Sequence, residues 1–305
     1  MRVCVVGCGA VGSLFAANLA ELDDVEVWAY DLSQPHVDAI NADGLRLTGA
    51  GEVHARLRAT SDAEELPPCD FGIVATKAMH TEAALAATAH AFAGGAVASV
   101  QNGVGNEEVV ARHVDRVIRG TTFPAGKILE PGVVQWDVKG DTTLGPFEPK
   151  PATAAEIEAL ADACTRGGMP THAVSDARPA QWRKVIFNAA SNPIGALTGL
   201  THGQTCERPD LRALVSALID EGKAVADAQG IVLDADPEEL IDHAARPDVA
   251  YHHKASMLQD VEARRPTEIA YLNGGIARFG RDLGIPTPMH DTVTRLITAL
   301  EDSWT

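Results

Sequence analysis

The sequence predicts an α/β protein in which a doubly wound parallel sheet is followed by an all-helical C-terminal domain. In the first half, short β-branched runs alternate with Ala- and Leu-rich segments, as in sheets whose parallel strands are joined by crossover helices. From residue 175 to 305, helical periodicity dominates. A chain of 305 residues is also long for a single core, so we expect one domain over 1–174 and another over 175–305.

The strands of the first domain are predicted from short runs of Val, Ile, Phe and Ala, a composition typical of strands buried on both faces. They are RVCVVG (2–7), VEVWAY (25–30), FGIVATK (71–77) and AVASVQNG (96–103), with further strand patterns around the glycines of 117–145. The helical patterns between them are VGSLFAANLAEL (11–22), HVDAINADG (36–44) and HTEAALAATAHAFA (80–93). A helix and a last strand are predicted within 153–174.

The second domain is predicted to consist of helices, because apolar residues recur at helical spacing while Gly and Pro fall mostly at segment ends. The predicted helices span 180–199, 209–229, 237–245, 252–264, 267–283 and 288–302. We expect the first of them to be distorted near Pro193, which has no backbone N–H to donate.

Composition and charge restrict the classes of function. Lys and Arg total 25 against 42 Asp and Glu, and the formal charge of −17 repels nucleic acid and anionic membrane surfaces. The five cysteines are scattered and lack CxxC spacing, which favours a reducing cytoplasm over a disulfide framework or a zinc site. No apolar run approaches about 18 residues and no charged leader precedes the first strand, so neither a membrane span nor a signal peptide is expected. The Ala- and Leu-rich helices of the second domain would suit a homodimer.

Gly7, Gly9 and Gly12 form a GxGxxG pattern directly between the first strand and the first helix. In a Rossmann-type fold the first glycine permits a tight turn, the second lets the backbone approach a pyrophosphate, and the third lets helix and strand pack closely. The free N–H groups at the helix start, including Ala10 and Val11, would face the phosphates. The pattern therefore predicts a dinucleotide site, and the alternative is a plain glycine turn.

Asp31 ends the second strand pattern, 19 residues after Gly12. A carboxylate at this place can accept hydrogen bonds from the adenosine ribose diol and would repel a 2′-phosphate. No Arg or Lys follows until Arg46, so NADH is favoured, while NADPH stays open. The alternative is that Asp31 only caps the loop with Ser33.

Lys184, Asn188 and Asn192 recur every four residues in an otherwise apolar segment, WRKVIFNAASNPIGAL. A four-residue step rotates about 400° around a helix, so the three polar groups share one face. An ammonium group can stabilise a carbonyl oxygen that gains charge during hydride addition, and it can supply a proton. Amides can hold a small acid without a competing titration. Taken singly, each residue would equally suit a solvated helix face or a turn.

Four fragments resemble the ketopantoate reductases (2-dehydropantoate 2-reductases): ATKAMH (75–80), QNGVGNEE (101–108), RKVIFNAASNP (183–193) and SMLQDVEARRPTEIAYLNG (256–274). The resemblance runs from the glycine loop to LGIPTP near the C-terminus. It implies a Rossmann domain that holds a nicotinamide cofactor and a helical domain that closes over a small, anionic 2-oxo acid. Reduction of ketopantoate to (R)-pantoate in pantothenate biosynthesis is the activity it implies first.

The resemblance also implies roles for single residues. Lys184 is similar to the family's general acid and substrate anchor, and Glu268 to the residue that binds the substrate hydroxyl and the catalytic lysine. The implied substrate contacts are Asn102, Asn188, Asn192 and Ser256, the last of them to the carboxylate. Asn102 is expected beside the nicotinamide as well, with Lys77 near the same junction.

This chain departs from the family pattern in ways that bear on cofactor and substrate. Family members that use NADPH usually carry an arginine where this chain has Tyr30 and then Asp31, which favours NADH. His253 replaces a common asparagine three residues before the serine of SMLQD. Pro266 replaces a frequent histidine and Ala270 a frequent aspartate, so the substrate pocket is expected to differ.

Several alternatives stay open. D-mandelate dehydrogenases share this architecture and reduce bulky 2-oxo acids with NADH, so a branched or aromatic 2-oxo acid is the runner-up substrate. A non-catalytic NAD-binding redox sensor explains the glycines and Asp31 but not the polar positions of the second domain. A 6-phosphogluconate or hydroxyisobutyrate type dehydrogenase would carry a GGxxGA-like signature that is missing here. His252 and His253 form a candidate metal pair, but no carboxylate or cysteine at ligand spacing supports it, so no metal is predicted.

Overall fold

The computed structural model describes residues 1–304, which form two compact units. The sheet unit consists of Met1–Gln101 and Asn106–Ala177. The helical unit consists of the chain from Arg178 onward together with Asn102–Gly105, a short segment that lies far away in sequence. The linear division of the sequence did not anticipate that these four residues cluster with the helices.

The sheet unit is built from the elements expected of an α/β domain, with additional short strands. Its strands are β1 Arg2–Val6, β2 Glu26–Tyr30, β3 Leu45–Gly49, β4 Val53–Ala55, β5 Arg58–Thr60, β6 Phe71–Val74, β7 Ala96–Ser99, β8 Val117–Thr122, β9 Ala125–Glu130, β10 Val133–Val138, β11 Thr142–Pro146 and β12 Thr171–Ala173. Its helices are α1 Ala10–Ala20, α2 Gln34–Asp43, α3 Thr81–Thr88, α4 Asn106–His113 and α5 Ala154–Arg166.

The main sheet confirms the predicted doubly wound architecture. Its eight strands have the order β12-β11-β8-β7-β6-β1-β2-β5, and all neighbouring pairs are parallel except β8 and β11. The chain moves outward from β1 first to β2 and later to β6 on its other side, so the strand order reverses beside β1. Open α/β sheets bind ligands at such a switch point, at the carboxyl ends of the strands.

A second sheet, with the order β4-β3-β10-β9, packs against α1 and was not predicted. It explains why α1 is buried around its whole circumference, with every residue from Gly12 to Leu19 buried, the polar Ser13 and Asn18 included. A helix that faces the main sheet on one side and a second sheet on the other has no face left for solvent. The sequence showed only that this helical segment is rich in Ala and Leu.

The helical unit contains α6 Arg178–Thr198, α7 His202–Cys206, α8 Pro209–Ala228, α9 Pro237–Ala244, α10 Ser256–Glu262, α11 Asn273–Leu283 and α12 Pro288–Asp302. The longest helix, α6, packs on α8, where a Cβ at Gly222 would lie 2.8 Å from the Ile186 side chain. Trp182 of α6 is 2% exposed and meets Phe279 of α11 edge to face, with ring centroids 5.5 Å apart. Helix α6 is thus the centre of this core.

Helix α6 continues through Pro193, and the distortion expected near this proline stays a prediction. Two other expectations for the helical unit were wrong in detail. Helix α10 is shorter than the predicted 252–264, and the predicted helix 267–283 begins only at Asn273. The residues before Asn273 form turns, because their polar groups bond to one another and to α12 rather than to a helical ladder. No helix among residues 1–304 is both long and apolar enough to cross a lipid bilayer.

Candidate active site

Lys184, Asn188 and Asn192 lie on successive turns of one helix, α6, as their four-residue spacing predicted. We call these three side chains the polar stripe. Lys184 and Asn188 are partly buried, and Asn192 is only 4% exposed. None of the three is exposed, so the stripe differs from an ordinary solvated helix face.

Asn102 connects the Lys184 ammonium group to the Glu268 carboxylate. Lys184 Nζ donates to Asn102 Oδ1 over 2.8 Å, and Asn102 Nδ2 donates to Glu268 Oε2 over 3.3 Å. The charges fix the orientation of the amide, because its oxygen meets the cation and its NH₂ group meets the anion. The structure therefore brings together three of the residues that the sequence singled out.

Lys184 has a pKa close to neutrality. Burial lowers the pKa from 10.5 to about 8, because a desolvated ammonium group is less stable than one in water, and the nearby Glu268 carboxylate opposes this shift. A group with this pKa can hold a proton at pH 7 and give it up at low cost. The direction of the shift was undetermined from sequence, since burial and Glu268 act in opposite senses.

Glu268 is held by a turn rather than by a helix. Its backbone carbonyl accepts from the N–H groups of Tyr271 and Leu272, both at 3.0 Å. The preceding residue, Thr267, donates its N–H to Glu301 Oε1 of α12 over 2.7 Å. Glu268 is 6% exposed, so the turn presents the carboxylate to the protein interior.

Asn102 reaches this position because Gly103 follows it. Gly103 has φ +87°, and a Cβ at this residue would lie 2.5 Å from the Tyr271 carbonyl oxygen. Val104 N–H donates to that same carbonyl over 2.9 Å. The segment can therefore lie directly against the turn that carries Glu268, which only glycine permits.

Asn192 and Ser256 form a second polar contact. Asn192 Nδ2 lies 3.5 Å from Ser256 Oγ at the start of α10, and Asn192 Oδ1 lies 3.3 Å from Ser191 Oγ. The NH₂ group of Asn192 thus faces Ser256. Ser256 itself is exposed, which leaves its hydroxyl accessible to a ligand.

An aromatic cluster was missed by the sequence reasoning. The His202 ring stacks on His253, with centroids 5.7 Å apart and planes at 8°, and Phe187 lies 5.7 Å from His202 at 36°. Burial, together with a smaller effect of the nearby His253, lowers the pKa of His202 to about 4, so the ring is neutral at pH 7. His253 precedes Ser256 by three residues and Phe187 precedes Asn188, but nothing in the sequence pairs them with His202.

The glycine loop has the shape expected of a pyrophosphate site. Gly7 has φ +87°, and a Cβ at Gly12 would lie 2.0 Å from the Gly7 carbonyl oxygen. A Cβ at Gly9 would meet no protein atom within 4 Å, so space is open beside its backbone. Helix α1 begins at Ala10 with no side-chain cap, which leaves the N–H groups of Ala10 and Val11 for a ligand. These features fit a dinucleotide.

Asp31 follows β2 and makes the turn that was considered as an alternative. Its Oδ1 accepts from Ser33 N–H over 2.8 Å. Only one carboxylate oxygen is used in this contact, so the turn is compatible with a ribose contact through Oδ2.

Lys77 lies elsewhere in the sheet unit, where it follows β6 and precedes a 3₁₀ turn, Ala78–His80. Its role beside a nicotinamide stays a prediction.

A buried amide network precedes Asn102 and was not predicted. Gln101 Nε2 donates to Thr81 Oγ1 over 2.7 Å and to the Thr76 carbonyl over 2.9 Å, while Ser99 Oγ donates to Gln101 Oε1 over 3.2 Å. Gln101 is 6% exposed. The signal for it was a glutamine at the end of a buried strand, which needs partners once desolvated.

Residues 1–304 contain no cluster of three or more His, Cys, Asp or Glu side chains that could hold a metal.

The chain is similar to known proteins along nearly its whole length. A family profile described as "Ketopantoate reductase PanE/ApbA" matches residues 3–149, and "Ketopantoate reductase PanE/ApbA C terminal" matches 176–301. A 2-dehydropantoate 2-reductase of Pyrococcus abyssi is 32% identical over 302 residues, which cover 99% of this chain and 98% of that protein.

Two solved structures show the same likeness. A ketopantoate reductase from Ralstonia eutropha JMP134 is 29% identical and has a TM-score of 0.89 over 99% of each chain. A D-mandelate dehydrogenase, in a ternary structure with NADH and anilino(oxo)acetate, is 28% identical and has a TM-score of 0.88 over 99% of each chain. The likeness therefore extends over both units.

Gly9 and Gly12 make a matched pair for substitution. Gly12→Ala places a methyl group against the Gly7 carbonyl, so we expect overpacking to lower the free energy of unfolding by about 1–3 kcal/mol. Gly9→Ala has room for its methyl group and should keep the wild-type melting temperature. Its NADH affinity should fall about tenfold or more, because the methyl group fills the space expected for the pyrophosphate. Thermal melting and NADH titration check both; unchanged NADH affinity in Gly9→Ala would contradict binding at this loop.

Proposed function

Because the chain belongs to the ketopantoate reductase family, we propose that it reduces a small 2-oxo acid to a 2-hydroxy acid with a nicotinamide cofactor, and that this acid is ketopantoate. The observation that carries the proposal is the contact of Lys184 and Glu268 with the same Asn102 amide. It gives the helical unit a proton donor with a pKa of about 8 and a carboxylate beside it. The product would be (R)-pantoate.

The bound nicotinamide would supply the hydride, and the protein would supply the proton and the binding groups. Lys184 Nζ would stabilise the negative charge that develops on the carbonyl oxygen and donate a proton to this oxygen. Lys184 is left as a neutral amine, which partial burial stabilises. Glu268 keeps Lys184 protonated before the reaction and can accept a hydrogen bond from the new hydroxyl. Asn188, Asn192 and Ser256 would hold the carboxylate and the neighbouring oxygen.

NADH is the proposed cofactor. Asp31 stands at the end of β2, where its carboxylate would bind a ribose diol and repel a 2′-phosphate. No Arg or Lys follows before Arg46, so no nearby cation in sequence favours a 2′-phosphate. The similar D-mandelate dehydrogenase structure contains NADH, which supports the same choice here.

An aromatic 2-oxo acid is a second candidate substrate, and the aromatic cluster of Phe187, His202 and His253 favours it. The cluster adjoins the polar groups at Asn188 and Ser256 in sequence, and its central ring is uncharged at pH 7. Flat aromatic rings bind an aromatic side chain through stacking. The D-mandelate dehydrogenase in the similar structure binds anilino(oxo)acetate, which carries a phenyl ring.

A panel of 2-oxo acids tests the proposed reaction and its substrate. We expect NADH oxidation with the highest kcat/KM for ketopantoate, followed by phenylglyoxylate. Higher kcat/KM for phenylglyoxylate would favour the second candidate, provided that His253→Asn, which restores the common family residue, then reduces that preference by about tenfold. NADH binding without turnover of any member of the panel would contradict the proposed reaction.

Substitution of Lys184 tests its role as proton donor. Lys184→Ala should lower kcat by about 10²–10⁴-fold, because it removes the general acid, while the Kd for NADH changes little. In the wild type, kcat/KM should fall as the pH rises through about 8, since deprotonated Lys184 cannot donate. We call this fall of kcat/KM at alkaline pH the alkaline limb. Lys184→Arg is the matched control, because it keeps the positive charge but should lose the alkaline limb. An alkaline limb that persists in Lys184→Arg would assign the titration to another group.

Asp31→Asn separates the two possible roles of Asp31. The asparagine keeps an oxygen for the Ser33 N–H, so the turn is preserved, but it removes the negative charge. We expect NADH to bind about tenfold more weakly, since a hydrogen bond to a charged group contributes about 1.5–3 kcal/mol, and NADPH to bind more tightly than before. Kd values for both cofactors check this. A wild-type protein that already prefers NADPH would overturn the assignment.

A further inference from the structure

Pro193 leaves one carbonyl of α6 without its helical donor. In an α-helix the carbonyl of residue 189 accepts from the N–H of residue 193, and proline has none. Helix α6 nevertheless continues from Arg178 to Thr198 without a break. Ala189 is fully buried, and a buried carbonyl needs a partner. Some other group must therefore donate to it.

Asn273 provides that donor. Its Nδ2 donates to the Ala189 carbonyl over 2.8 Å from the first turn of α11. The side chain is 0% exposed, so water does not compete for the contact. Asn273 lies in the TEIAYLNG motif, five residues after Glu268, and the proposed chemistry gives it no role.

His290 fixes the orientation of the Asn273 amide. His290 Nε2 lies 2.9 Å from the Leu218 carbonyl, to which it must donate, and Nδ1 lies 3.0 Å from Asn273 Nδ2. Burial lowers the pKa of His290 to about 4, so the ring is neutral at pH 7 and Nδ1 can accept. Both Asn273 N–H groups thus have acceptors, on α6 and on α12.

The Ala189 carbonyl lies in the part of α6 that carries the polar stripe. Asn188 precedes Ala189 and Asn192 precedes Pro193, so the proline interrupts the ladder between the last two groups of the stripe. The hydrogen bond to the Ala189 carbonyl affects how far α6 bends at Pro193. This bend sets the direction of Asn192 relative to Lys184 and Asn188. We infer that Asn273 is a positioning residue, which replaces the hydrogen bond lost at Pro193 and so holds Asn192 in register with Lys184. This inference rests on the proposed reduction for its effect on catalysis.

A double-substitution cycle tests the inference. Asn273→Ala should lower kcat/KM by about 10–100-fold through misplacement of the stripe, with the Kd for NADH unchanged within about twofold. The alkaline limb of the wild type should stay at the same pH, because the surroundings of Lys184 are retained. Pro193→Ala restores a backbone N–H at the right place, so the double variant Asn273→Ala/Pro193→Ala should recover most of the lost activity.

Pro209→Ala is the matched control. Pro209 is the first residue of α8 and is exposed, so combining Pro209→Ala with Asn273→Ala should give no recovery. If Asn273→Ala does not fold, the double variant with Pro193→Ala should fold, and failure of both overturns the inference. Recovery with Pro209→Ala, or none with Pro193→Ala, also overturns it.

Melting temperature provides a readout that needs no substrate. Asn273→Ala should lower it and Pro193→Ala should restore it, whatever the protein reduces. A wild type that turns over no 2-oxo acid but shows this restoration would contradict the proposed function and leave the helix repair intact. An active wild type without restoration in the double variant would contradict the inference alone.

Discussion

The partial burial of the Lys184 ammonium group is the constraint on which the helical unit depends. Desolvation destabilises the cation, and the Glu268 carboxylate offsets part of that cost. Asn102 contacts both groups, accepting from one and donating to the other. A cation in a mostly apolar core is tolerated only with such partners, so the surrounding chain must deliver an amide and a carboxylate to one face of α6.

Backbone geometry, more than side-chain chemistry, makes this delivery possible. Gly103 allows the Asn102 segment to lie against the Tyr271 carbonyl, and the turn before α11 directs Glu268 inward. If α11 began at residue 267, as predicted, Glu268 would lie in a helix and its carboxylate would be placed by the helix and not by the turn. The same reasoning applies to the glycine loop of the sheet unit, where Gly12 lets α1 approach the Gly7 carbonyl.

The proline in α6 shows how a local defect can be compensated at a distance. Ser191 Oγ donates to the Phe187 carbonyl and Thr198 Oγ1 to the Ile194 carbonyl, so hydroxyls within the helix add to its ladder. The Ala189 carbonyl instead relies on Asn273 from another helix. That bond ties α6 to the same chain segment that carries Glu268. The polar stripe is therefore linked to the Glu268 segment twice, through the Asn102 side chain and through the Ala189 backbone carbonyl.

The sequence by itself determined the features that depend on neighbouring residues. The four-residue spacing of Lys184, Asn188 and Asn192 defined the stripe, and the glycine pattern after β1 defined the loop, because helix pitch and allowed φ values are local properties. Only the tertiary structure decided the second sheet on α1, the turn at Glu268 and the stacking of His202 on His253. It also decided the net direction of the Lys184 pKa shift and the partner of the Ala189 carbonyl. Each of these depends on groups that lie far apart in the chain, and no periodicity records which of them meet.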